Sequence, residues 1–172
     1  MNKKTTSQKI AFMGVLLALT IVLNLVENMI PPITALPLGV KLGLSNVVIM
    51  YCLFFIDYKK ALLLATLKSV FVFITRGFTA SVLSLSGGLS SVIIMIVILY
   101  ISRKKASYLI TSVLGAVFHN LGQITVATFI LETNFFLYYF PILLVSGVIF
   151  GIITSVVLRV VMPYVSKIIR NS

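Results

Sequence analysis

Few side chains in this sequence could do chemistry, and they stand isolated in long apolar runs. His119 and Gln123 are four residues apart, so on a helix they share a face, with Asn120 beside them. Such a pair either clamps two helices together or holds the ring or chain of a small ligand. Glu27 lies between Asn24 and Asn28, and Lys68 lies two helical turns before Arg76. Lys68 could pair with Glu27 or reach an interface; alternatively, Lys68 or Arg76 could offer charge to an anionic substrate such as a phosphate. Asn46 follows Ser45, and Ser86 sits in the run from Ser84 to Ser91 that also holds Gly87 and Gly88. These types suit hydrogen bonding to a solute better than bond breaking. One histidine, the single Cys52 and three acids cannot close a metal shell. The only aspartate is Asp57, so a magnesium diphosphate clamp of several carboxylates is beyond this chain alone. No nucleophile has an evident base and orienting partner, and no G-x-x-x-x-G-K-[ST] loop is present. The expectation is a binder and not an enzyme, with no resident cofactor.

The elements that must position these residues follow from composition. The chain has 172 residues, 60% of them apolar and only 10% charged. Soluble domains carry about 25% charged residues, so this is an integral membrane protein without room for a second, soluble domain. A spanning helix needs about 20 mostly apolar residues, fewer where neighbours bury it. Six spans are expected, over residues 10–30, 42–56, 61–75, 89–101, 106–131 and 135–162, forming one all-α domain. Segment 76–88 is expected to fold back into the bundle, and Pro163 to lie beyond the last span. The first span is too long for the apolar core of a signal peptide and carries Asn24, Glu27 and Asn28 at its far end, so it is read as retained.

Lys plus Arg number 14 against 3 acids, a net charge of +11. Lys3, Lys4 and Lys9, then Lys59 and Lys60, then Arg103 to Lys105, then Lys167 and Arg170 all fall on one side if the spans are six. Both termini are then cytoplasmic, and the excess reads as a topology signal beside anionic lipid and not as a nucleic-acid footprint. With this orientation Asn46, Ser86, His119, Asn120, Gln123, Arg76 and Glu27 gather toward the outer half, with Lys68 near mid-membrane. That pattern predicts a cup open to the outside, lidded by the proline-rich loop 31–41. Phe135, Phe136, Tyr138, Tyr139 and Phe140 fit an interfacial belt. Small residues four apart, Gly14 with Ala18 and Gly147 with Gly151 and Ser155, allow close helix approach.

The runs Pro37-Leu38-Gly39-Val40-Lys41-Leu42-Gly43-Leu44-Ser45-Asn46, Ser84-Leu85-Ser86-Gly87-Gly88-Leu89-Ser90-Ser91 and His119-Asn120-Leu121-Gly122-Gln123 resemble the Gx transporter family, whose members often carry the label heptaprenyl diphosphate synthase component I. That family is similar to the S components of energy-coupling factor (ECF) transporters, six-helix proteins that bind a vitamin on the outer side. The resemblance implies partners, a transmembrane coupling subunit and two ATPases. It also implies that Ala11, Gly14 and Ala18 on the first helix meet the coupling subunit, Gly14 standing where alanine is usual. Relatives found beside extracellular electron transfer functions favour a flavin as transported ligand. The alternative is a non-catalytic membrane anchor or accessory subunit for prenyl diphosphate synthesis or electron transfer.

Overall fold

The computed structural model describes residues 6–29, 43–103, 105–131 and 135–170. The loop 31–41 lies outside the described residues, as do the side chains of Phe135, Phe136, Tyr138 and Tyr139. Six helices follow in order: α1 (Thr6–Met29), α2 (Leu44–Phe55), α3 (Tyr58–Arg76), α4 (Phe78–Ile101), α5 (Tyr108–Leu131) and α6 (Phe135–Arg170). Among the described residues there is no strand. Within α1, α4, α5 and α6 lie four stretches long and apolar enough to cross a membrane, which makes this a multi-pass membrane protein.

Helix α2 has only 12 residues, which at 1.5 Å per residue falls well short of a hydrocarbon layer about 30 Å thick. Protein surrounds it: every residue from Val47 to Leu53 is buried, against Leu16 of α1, Ala61, Leu64 and Ala65 of α3, Val92 and Met95 of α4 and Leu158 of α6. Between lipid-embedded helices, close packing replaces the hydrophobic drive that water would supply. The core is therefore centred on the shortest helix. Around it, exposed Val15, Val22, Ile74, Ile93, Phe129 and Val145 give the bundle an apolar exterior.

Segment 76–88 lies in the bundle largely as the first half of α4, not as a separate folded-back stretch. The chain turns at Gly77 alone, whose φ of 84° and ψ of −178° suit glycine, and α4 begins at the next residue. The serines of this segment are absorbed into helices: Ser86 Oγ donates to the Leu83 carbonyl at 3.0 Å and Ser81 Oγ to the Ser69 carbonyl of α3 at 2.9 Å. In a helix without water these hydroxyls find backbone acceptors instead of starting turns. Nor does Pro163 end the last helix, for α6 continues to Arg170.

Glycines set the distances between α4, α5 and α6. A Cβ on Gly151 would sit 2.5 Å from Val113 Cα, and one on Gly122 would sit 2.5 Å from Ser90 Oγ and 2.7 Å from the Ser86 carbonyl oxygen. One on Gly87 would sit 2.7 Å from Gln123 Cγ. Backbones here approach as only glycine permits. Ser112 Oγ adds a hydrogen bond to the Gly151 carbonyl, 2.7 Å, across the α5–α6 seam.

Candidate functional site

All six helices contribute to one cavity with about 530 Å³ of space not filled by atoms, counting its open mouth. Glu27 comes from the end of α1, Gly43 from just before α2, Asn46 and Met50 from α2, and Lys68 from the middle of α3. Helix α4 supplies Ser91 and Met95, and α5 supplies Ser112, Gly115, Ala116, His119 and Asn120. Gly147, Phe150 and Thr154 of α6 complete it. The mixture of apolar wall and few polar groups is characteristic of small-molecule pockets.

Among the described residues two charged side chains stand in this wall, each only 6% exposed. Lys68 Nζ donates to Asn46 Oδ1 at 3.2 Å. Glu27 Oε1 accepts the backbone N–H of Gly43, the residue before α2, where the amide dipoles of the helix favour a negative charge. Gly43 holds φ at 76°, and the Asn46 N–H donates to its carbonyl at 2.9 Å. The first turn of α2 is thus tied to α1 by an anion and to α3 by a cation. His119 stands one turn beyond Gly115 on α5, and its Cε1 would lie 3.0 Å from a Cβ on Gly87 of α4. This packs the imidazole between two helices while one side of it meets the cavity.

Of the residues singled out in the sequence, Glu27, Asn46, Lys68, His119 and Asn120 meet in the cavity. Asn120 also has a structural task, because its Nδ2 donates to the Leu143 carbonyl at 2.9 Å and to Ser146 Oγ at 3.3 Å, tying α5 to α6. Arg76, Ser86 and Gln123 are placed elsewhere. Arg76 is exposed at the end of α3, and its Nη1 donates to Asn28 Oδ1 at 3.2 Å; Asn28 Nδ2 in turn donates to Asn24 Oδ1 at 3.2 Å. Ser86 is bonded within its own helix, and Gln123 packs against Gly87. Met50, Ser91, Met95, Ser112, Phe150 and Thr154 line the cavity without having been chosen. For Ser112 the signal was present: residues 112, 116, 119 and 120 recur at the spacing of one helix face. Met50, Met95 and Phe150 are indistinguishable from core residues in sequence. Ser112 also brings the cavity closer to the start of α5 than a cup confined to the outer half would reach.

A model of the family described as heptaprenyl diphosphate synthase component I matches residues 16–161. The chain belongs to that family. The heptaprenyl diphosphate synthase component I match spans every residue of the cavity, from Glu27 to Thr154, and agrees with the resemblance to the Gx transporter family noted above. Neither the curated proteins nor the solved structures yielded a match to this chain.

Proposed function

We propose that this protein is the solute-binding subunit of an ECF-type transporter of the cell membrane, capturing a small metabolite and relying on a coupling subunit and two ATPases for energy. It does no bond chemistry of its own. The observation that carries this reading is the cavity, in which a buried lysine, a buried glutamate, an asparagine and a histidine from four helices surround space with an open mouth. Burying charge at membrane depth costs about 2.5 to 3.5 kcal/mol per residue on insertion scales, so charges retained around a hollow point to a solute. In this reading all six helices span, both termini face the cytoplasm, and the mouth opens outward. A flavin or related vitamin is the favoured ligand. Ala11, Gly14 and Ala18 support the docking of a coupling subunit, since all three are exposed on α1 and a Cβ on Gly14 would meet nothing within 4 Å.

The test is riboflavin binding by protein in lipid nanodiscs, with two α5 variants. His119→Ala should weaken binding about tenfold, the loss of one well-placed contact, whereas Gln123→Ala, outside the cavity wall, should change it less than about twofold. Equal affinity in wild type and His119→Ala would remove His119 from the site. The family's description favours a second reading, a membrane anchor or accessory subunit for prenyl diphosphate synthesis. That reading expects a colourless protein that binds no vitamin and increases the activity of a prenyl diphosphate synthase on addition.

A further inference from the structure

Among the described residues, the wall of the cavity holds one formal positive charge, Lys68, and one formal negative charge, Glu27. Both are fixed to the same helical turn: Lys68 through Asn46 Oδ1 and Glu27 through the Gly43 N–H, with the Asn46 N–H bonded to the Gly43 carbonyl at 2.9 Å. Opposite charges held around one turn cancel at a distance, which is what makes their burial tolerable. A phosphate or carboxylate entering this space would offset Lys68 and leave Glu27 uncompensated in a medium of low dielectric. An uncharged polar group leaves the balance intact. An ammonium has three donors and a carboxylate several acceptor positions, so both can exchange bonds with such a group.

We infer that the solute is net-uncharged and presents a hydrogen-bond acceptor beside a donor, as an imide, a lactam or a primary amide does, with Lys68 donating to the acceptor and Glu27 accepting from the donor. Anionic forms of the same molecule are refused. A zwitterion satisfies the same balance. The inference deepens the proposed solute-binding reading and rests on it.

The experiment has two arms. In the first, small molecules released by denaturing the gently purified protein are identified by mass spectrometry; a net-uncharged solute is expected, with its mass separating amide-like rings from zwitterions, and a phosphate ester or simple carboxylate would overturn the inference. In the second, matched probes are titrated in nanodiscs: riboflavin against riboflavin 5′-phosphate, and nicotinamide against nicotinate. In whichever pair binds, the uncharged member should bind at least about tenfold tighter to the wild type. Glu27→Gln leaves Lys68 as the only formal charge among the described residues of the wall and should reverse that preference, which simple loss of structure would not do. Equal or tighter wild-type binding of the acid contradicts the inference while leaving the solute-binding reading intact. No retained solute and no binding by any of the four probes would overturn both.

Discussion

The two halves of the bundle are joined by different physics. Helices α4, α5 and α6 meet through glycine, where backbones stand so close that an added methyl would overlap Val113 Cα or the Ser86 carbonyl. Helices α1, α2 and α3 share the apolar core around α2, and beside the cavity they are also joined by side-chain hydrogen bonds: Arg76 to Asn28, Glu27 to Gly43, and Lys68 to Asn46. Steric seams have one tight arrangement and resist change, since packed interiors do not deform continuously. Polar ties can exchange partners at little cost. The cavity lies between the two kinds of joint, with a firm wall on the α4–α6 side and an exchangeable one on the α1–α3 side. This contrast suits a protein that must hold a solute and later release it.

Breaking the firm side should have the largest effect. Gly151→Leu places its side chain against Val113 Cα, which a Cβ would approach to 2.5 Å, and overpacking of this kind costs about 1 to 3 kcal/mol or more. Thermal unfolding in detergent should show a lower midpoint, with α5 and α6 separating. On the same seam Asn120→Ala removes the bonds to the Leu143 carbonyl and Ser146, a loss of about 1 kcal/mol, readable as a smaller downward shift. The smallest effect belongs to Gly14→Ala on the outer face of α1, where the new methyl meets nothing within 4 Å. Stability should stay level or rise by up to about 1 kcal/mol from better helix propensity. If a coupling subunit docks there, only its association should weaken. A Gly14→Ala protein as destabilised as Gly151→Leu would erase the distinction between the two halves.

Much of this arrangement was legible in the sequence, for reasons that also explain the errors. Apolar runs and their basic flanks locate six helices because lipid admits few alternatives to a helix. Serine and glycine misled over residues 76–88, where their turn-forming habit in water gives way to helix packing; Gly87 makes room for His119 and Gln123 instead of bending the chain. Ser91 and Met95 lie in the interior of α4 and in the cavity wall. Polar cavity residues could be found because a buried Glu27 or Lys68 demands an explanation. Phe150 and Met50 could not, since an apolar wall and an apolar core are written in the same residues. Arg76 drew notice for its charge, yet its place is exposed, bonded to Asn28 at the end of the bundle.

The most direct test of the central claim is an experimental structure of the protein purified in mild detergent or nanodiscs without washing out retained solutes. The account predicts density for a small molecule in contact with Lys68, Asn46 and His119, bounded by Phe150 and Met95. A hollow closed by those side chains mating with one another, with no solute density and none appearing after riboflavin is added, would contradict it.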